Sequence, residues 1–509
     1  MATKFPTFAG SVLLAIAFAS PGTSAQDVLW DVSGQSFHEQ LGQSLETAGD
    51  VNGDGFSDVI IGSPQDGTNG NGAGKVQVVS GLDGSVLLSG LGPAPSAFLG
   101  ASVSTAGDVN GDGHADLIVG APGDYRALTP PGAAYVVSGF NGQLLHLFVN
   151  PDGQRFGSAV SGAGDVNADG FADLIVGAPR RANLAGAALV YSGLDGAELH
   201  QLLGESPLDY MGSAVSSAGE IDRDGHADLI VGGRAGYAQV FSGASGLLIY
   251  ASRRGFPHEG YGMSVDEIED LDYDGSSELI VGAPGGAQTG RAYVLSGRRG
   301  DLKYLLEGEE PGEQFGADVS GAGDLNGDGF EDFLVGRPLA VVQGSTVGGV
   351  RAFSGYNGLP LYNWFGETFE WFGRSVAGAG DLNGDGLDDL VVAAPLFDSL
   401  SHEDAGRVTA YAGNDLFLEA FPPHPALGDV LTLAVRQNAP FRPVLLAIVE
   451  LNGTPTLLPL VFDHFDFDWA FEVSETLPPG LAGVSLSIRA FSKTHQGALP
   501  QSSDVHFAF

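Results

Sequence analysis

Two stretches of the chain are nearly the same phrase: AGDVNGDGHADLIVGAP at residues 106–122 and AGDVNADGFADLIVGAP at residues 163–179. Working outward, the phrase returns seven times, with its first acidic position at Asp50, Asp108, Asp165, Glu220, Asp270, Asp324 and Asp381. The successive spacings are 58, 57, 55, 50, 54 and 57 residues, which implies one supersecondary unit per copy. In the second unit, 101–106 is a strand of small residues and an acidic loop follows. Asp116 to Gly120 is then a β-rich run closed by Ala121-Pro122. A third strand spans 133–137, a turn with Gly139 and Gly142 reverses the chain, and 144–148 is a fourth strand. Four strands repeated seven times predict blades around an axis, with Ser, Gly and Ala where the inner strands crowd. The competing solenoid would need polar caps, and neither end carries a distinct cap sequence.

An orphan strand at 28–32 matches the fourth-strand pattern and precedes the first unit, as a closed ring needs to complete its last blade. Residues 416–420 are the alternative fourth strand for that blade. The propeller is therefore expected over residues 26–413.

Each loop keeps four oxygen-bearing positions in a D-x-N-x-D-G-x-x-D spacing. They are Asp50, Asn52, Asp54 and Asp58; Asp108, Asn110, Asp112 and Asp116; Asp165, Asn167, Asp169 and Asp173; and Glu220, Asp222, Asp224 and Asp228. The last three sets are Asp270, Asp272, Asp274 and Glu278; Asp324, Asn326, Asp328 and Asp332; and Asp381, Asn383, Asp385 and Asp389. Alternate residues of a tight loop turn their oxygens inward and the glycine permits the bend, which suits a hard cation of high coordination number. The spacing resembles the first half of an EF-hand loop, but a strand follows where a helix would, and Ca²⁺ fits better than the octahedral Mg²⁺. One such loop is explained by a polar hairpin turn; seven are not. Up to seven Ca²⁺ ions are expected, acting as structural staples.

Composition narrows the function. Lys+Arg number 22 against 62 Asp+Glu, a net charge of −40, and no basic run exists, so neither nucleic acid nor an anionic membrane is an expected partner. With 43% hydrophobic residues the acidity is not that of a disordered chain. Gly 79 predicts many tight turns, and Cys 0 excludes disulfides, thiolate metal sites and cysteine nucleophiles. Residues 1–25, with Lys4, an apolar run from Ala9 to Ala19 and a small-residue end at Ala25, have the form of a secretory signal peptide, and no other segment has the length to span a bilayer. A secreted, cell-surface or periplasmic location follows as the expectation.

A Phe-Gly pair opening the unit, the acidic loop and a Gly-Ala-Pro end together resemble the FG-GAP repeats of integrin α-chain propellers. Phe156-Gly157 and Gly177-Ala178-Pro179 bracket the third loop, while Phe315-Gly316 and Phe372-Gly373 precede the sixth and seventh. Departures are Leu41-Gly42, Met211-Gly212 and Tyr261-Gly262 at the start, and Gly232-Gly233-Arg234 and Gly336-Arg337-Pro338 at the end. The resemblance covers about residues 28–413 and implies a seven-bladed propeller with calcium in hairpins on one face. Loops in every unit look like the secreted bacterial members of the family, and no motif marks the family's ligand-binding residues. Such propellers serve adhesion and also accompany hydrolases and lyases, so activity has to be argued from sites.

Other features have plainer explanations. Arg299-Gly300-Asp301 spells an attachment tripeptide, but Gly300 falls where Gly84, Gly142, Gly196, Gly246 and Gly358 fall in sister units, so the turn accounts for it. Tyr362, Trp364, Phe365, Phe369, Trp371 and Phe372 form an aromatic cluster assigned to the seventh blade, expected to pack rather than to stack a ligand. His114 and His226 occupy the loop position that ligates through its carbonyl, with side chains expected in solvent. The sequence holds no His-x-x-x-His pair, no G-x-S-x-G elbow and no phosphate loop, so no catalytic residue is assigned.

After about Asn414 the repeat stops. Strands are expected at 431–435, 444–449, 465–473 and 484–489, and residues 414–509 are read as a small β-sandwich. The whole is an all-β chain whose expected function is non-catalytic extracellular recognition or adhesion, with an extracellular protein or carbohydrate as partner. The alternatives are a polysaccharide lyase or hydrolase on a propeller scaffold, or an architectural envelope protein.

Overall fold

The computed structural model describes residues 28–413 apart from 124–130, 151–153, 255–258 and 400–401, and strands between residues 417 and 503 beyond them. The chain divides into two compact units, one of residues 25–413 and one that contains residues 414–509.

The first unit is a seven-bladed β-propeller of four-stranded antiparallel sheets. Blade two runs Ser102–Gly107, Asp116–Ala121, Gly132–Val137 and Leu144–Asn150, in sequence order across the sheet. Second strands such as Asp58–Ser63 and Asp228–Gly233 are buried along their whole length, which is why they read as continuous apolar runs. First strands line the axis. Each touches the first strands of both neighbouring blades, and Ser44–Gly49 of blade one meets Ser375–Gly380 of blade seven, so the ring closes and the solenoid is excluded. Small residues are required there: a Cβ on Gly378 would sit 2.6 Å from the Ala322 Cα of the adjacent blade.

Closure is made by the N-terminal strand. Val28–Ser33 pairs antiparallel with Arg407–Tyr411 as the fourth strand of blade seven. The alternative at 416–420 fails because the strand there, Phe417–Phe421, belongs to a sheet of the second unit. In the register, Trp30 faces Ala410 as Leu88 faces Val78, His146 faces Val136, His200 faces Val190, Tyr250 faces Val240 and Tyr304 faces Val294. These side chains do the same work in each blade, lying against the outer-turn glycine of the next one: Trp30 on Gly84, His146 on Gly196, Tyr250 on Gly300 and Tyr304 on Gly358. Several add a polar tip. Trp30 Nε1 donates to the Gly81 carbonyl, His146 Nε2 and His200 Nε2 each lie 2.6 Å from the carbonyls of Gly193 and Gly243, and the Tyr304 hydroxyl donates to Gly355 O at 3.1 Å. Among the described residues the apolar side chains form seven clusters, one between each pair of neighbouring blades. The cluster joining blade seven to blade one contains Trp30, Leu45, Ile61, Val391 and Val408.

Gly300 has φ 67, close to the 66 to 72 of its sister glycines, and its N–H donates to Ser296 O at 2.8 Å, so the turn needs this residue for its own geometry. The aromatic cluster does not belong to blade seven as a whole. Tyr362, Trp364 and Phe365 lie on Pro360–Phe365, the fourth strand of blade six, and Phe369, Trp371 and Phe372 lead into blade seven. Trp364 and Phe372 are buried between those blades, whereas Phe369 and Trp371 are exposed.

In the second unit, Phe417–Phe421, Thr432–Gln437, Trp469–Thr476, Ser485–Ser492 and Ser502–Ser503 form one antiparallel sheet, and Val444–Leu451 with Thr454–Val461 forms a hairpin. The strand at 454–461 was not expected, and the first residues of the expected 465–473 strand lie outside the described residues. So does the expected signal peptide.

Candidate metal loops

Every acidic loop joins a blade's first strand to its second, which places all seven at the same end of the ring's strands. Six of the first strands end in a glycine at positive φ, such as Gly49 and Gly107, and in those six a register shift just before it turns the chain outward. In the first loop, Asp50 Oδ1 accepts from Gly53 N at 2.7 Å and Asp50 Oδ2 from Gly55 N at 2.9 Å. Asn52 Oδ1 accepts from Asp54 N at 2.8 Å and Asp54 Oδ1 from Phe56 N at 3.0 Å. The bonds to the amide five residues on recur at Asp108, Asp165, Glu220, Asp270, Asp324 and Asp381. Side-chain oxygens thereby hold the loop backbone in place, and each retains acceptor capacity beyond that bond.

The last acid of each set does something the spacing does not announce. Asp58, Asp116, Asp173, Asp228, Asp332 and Asp389 are fully buried at the start of the second strand. Each carboxylate receives the backbone N–H seven residues earlier in its own loop, as from Val51 at 2.9 Å, and that of a glycine in the turn after the third strand, as from Gly81 at 3.1 Å. It therefore ties two hairpins of one blade together. Burial pushes Asp58, Asp116, Asp173 and Asp228 up to about 6, against the pull of those amides. Asp389 rises to about 7, and Asp332, buried with Asp328 and Asp324 repelling it, rises to about 9. At these six carboxylates burial outweighs the amide bonds that favour the ionised form, an environment that a cation would relieve.

The fourth and fifth loops bring three carboxylates together most tightly: ligand atoms of Asp222, Asp224 and Asp228, and of Asp270, Asp272 and Glu278, lie within 4.8 Å of one another. In the other five loops an Asn takes the second position and offers an amide oxygen instead.

Blade five departs from its sisters. Its first strand ends at Ile268 without the glycine and its last acid is Glu278, which keeps the amide seven residues earlier, from Leu271 at 2.6 Å, and adds Lys303 from the blade's fourth strand. Lys303 Nζ lies 3.1 Å from Glu278 Oε1 and 3.3 Å from Asp272 Oδ2, so this loop already contains a cation of its own. Arg223 of the fourth loop reaches Asp274 at 3.6 Å. The sequence reading missed Lys303 because it sits 25 residues beyond Glu278, outside the repeated phrase. His226 also differs from expectation: its Nδ1 lies 2.8 Å from the Val166 carbonyl of the third loop, so the ring bridges two blades rather than facing solvent.

The FG-GAP repeat family matches residues 42–79, 99–137, 156–191, 315–351 and 372–411, which are blades one, two, three, six and seven. The chain carries FG-GAP repeats. Blades four and five, left unmatched, open on Met211-Gly212 and Tyr261-Gly262 yet fold as the others do. Similar proteins include integrin alpha-V of Gallus gallus, 32% identical over 211 residues that span 38% of this chain and 20% of that protein. Integrin alpha-3 of Cricetulus griseus is 34% identical over 160 residues, 30% of this chain and 15% of its own length. Integrin alpha-5 of Xenopus laevis is 42% identical over 106 residues, 20% and 10%. The matched region is a fifth or less of these relatives. Among the described residues no helix is long and apolar enough to cross a membrane.

Proposed function

We propose that this chain is an exported FG-GAP propeller that binds Ca²⁺ in its hairpin loops and serves extracellular recognition or adhesion without catalysis. Export is assigned to a signal peptide at residues 1–25, the propeller to 26–413 and an appended β-sandwich to 414–509. The observation that carries the reading is the repetition of the loops: seven copies place their oxygens on one backbone scaffold, around carboxylates that burial disfavours as bare anions. The likeness to integrin α chains supports an extracellular partner, protein or carbohydrate. Calcium would be held by the four positions of each loop, and it would cancel about 14 of the 40 excess negative charges if all seven filled.

The test is a binding screen of the purified chain against glycans and matrix proteins in millimolar calcium, repeated with chelator, with every hit assayed for product release. A saturable, chelator-sensitive ligand recovered intact is the expected result. A cleaved ligand would make the protein an enzyme instead.

A further inference from the structure

The end of the ring opposite the acidic loops is built from residues that precede each first strand and follow each second strand. Across blades one to four these residues, with Arg374 of blade seven, enclose a cavity of about 660 Å³, within the roughly 300–1,000 Å³ range of small-ligand sites. Its lining is unlike the rest of the molecule. Arg155, Arg180, Arg234 and Arg374 line it, and no described lining residue is Asp or Glu, in a chain where acidic residues outnumber Lys+Arg by 62 to 22.

The repeat explains how the arginines come together. Arg155 and Tyr210 occupy the position two before the opening glycine, held at φ 56 and 52 like Phe98 at 55 in blade two. The turn is locked by bonds such as Ser158 N to Arg155 O at 3.1 Å. Every blade but the fifth, which has Gly260 there, therefore carries one side chain at the equivalent position. Arg180 and Arg234 follow the ends of two second strands, and Arg374 follows the opening Gly373. The Arg234 guanidinium lies 5.9 Å from the Tyr210 ring centroid. Arg234 forms no salt bridge with a described residue, and Arg374 forms none within 4 Å, although its charge also acts on Asp318 in the adjoining central channel.

We propose that this cavity binds an acidic oligosaccharide, one carrying uronate or sulfate groups. The inference rests on the recognition reading above and names its ligand class. Guanidinium forks match the paired oxygens of carboxylate and sulfate. Tyr210 and Phe98 add apolar ring surface to the lining, and its neutral side chains Gln40, Gln43 and Gln65 carry amides that suit sugar hydroxyls. A peptide cannot add as a strand here, because the rim's amides are used within the ring: Gly157 N bonds Gly177 O and Gly212 N bonds Gly232 O, each at 3.0 Å. An acidic peptide held by side chains alone is the occupant that the oligoglutamate titration below excludes.

The experiment is calorimetric titration of the full chain in calcium with an oligogalacturonate, a heparin-derived oligosaccharide, neutral maltohexaose and an oligoglutamate. Uronate and sulfate sources are distinguished by which of the first two binds. Expected are saturable binding of at least one acidic sugar, at least tenfold weaker binding of maltohexaose and oligoglutamate, and weakening as salt rises from roughly 50 to 500 mM. The Arg234→Gln/Arg374→Gln variant should lose at least tenfold in affinity with its melting temperature kept. Arg299→Gln, in an outer turn at the opposite end, should lose none. No binding of either acidic sugar, equal binding of maltohexaose or oligoglutamate, or affinity untouched by the double substitution would overturn the site. Chelator-sensitive binding that ignores the arginines would point to the calcium loops and overturn it too. A neutral or protein ligand found in the broader screen and indifferent to the arginine variant would leave recognition standing while removing this site.

Discussion

Replacing Trp30 by Ala should loosen the ring at its seam. Trp30 is 7% exposed, packs among Leu45, Val391 and Val408 between blades seven and one, and donates its indole N–H to Gly81. Truncating a buried Trp costs about 3–5 kcal/mol, and losing the hydrogen bond about 1 kcal/mol more. A unit of roughly 390 residues unfolds with an entropy near 0.8 kcal/mol/K at about 2.1 cal/mol/K per residue. Trp30→Ala should therefore lower the melting temperature by about 5–7 °C if the propeller melts as one unit. The assay is differential scanning calorimetry at fixed, saturating calcium, since ligand concentration shifts the midpoint by mass action. Trp30→Phe, which keeps most of the apolar contact, should fall by less than half as much. A Trp30→Ala protein melting within 1 °C of wild type would refute the assignment of residues 28–33 as the strand that closes the ring.

Two further outcomes follow from individual residues. Glu46 lies on the first strand of blade one, in a central channel of about 540 Å³ that also holds Asp266, Asp318 and Arg374. Burial pushes Glu46 up to about 8 and Asp266 to about 6, with the two carboxylates repelling each other, and Asp318 rises as well. A carboxyl raised in the folded state holds a proton that the unfolded chain has already lost, so stability falls as pH rises from about 4.3 toward 8. Glu46→Gln should accordingly gain stability over wild type at pH 9 and gain none at pH 4 in urea titrations; equal gain at both would remove the argument. Lys303→Gln frees Asp272 and Glu278 from their internal cation, so it should raise calcium affinity at the fifth loop at least tenfold, or add one ion to the count in native mass spectrometry. An unchanged count and affinity would show that Lys303 does not compete there.

The ring was legible because its evidence is periodic. Seven acidic phrases at near-equal spacing, small residues on the first strands and a stray outer strand at 28–32 all follow from one blade repeated around an axis, and each can be found by comparing the chain with itself. What the sequence hid lies outside the repeated phrase. Lys303 enters the fifth loop from a fourth strand outside the repeated phrase, and Asp58 and its counterparts look like simple ligands until the glycine amides of the neighbouring turn are seen on them. The arginines of the opposite end come from three blades, and only Arg155 sits at the position that holds Gln40, Phe98 or Trp371 elsewhere, so no local motif gathers them. The aromatic cluster misled for the same reason: a run of eleven residues crosses from the last strand of one blade into the next.

The central claim is that calcium in the hairpin loops staples the propeller, and the direct measurement is calorimetric melting of the full chain before and after exhaustive chelation, with bound metal counted in parallel. At about 10 to 100 times Kd each filled loop stabilises the fold by about 1.4–2.7 kcal/mol. The account predicts six or seven bound calcium ions, the fifth loop the weakest because of Lys303, and a midpoint that falls by about 10 °C or more on chelation and returns when calcium is restored. A chain that retains no calcium at millimolar concentration, or that melts at the same temperature after chelation, would contradict it.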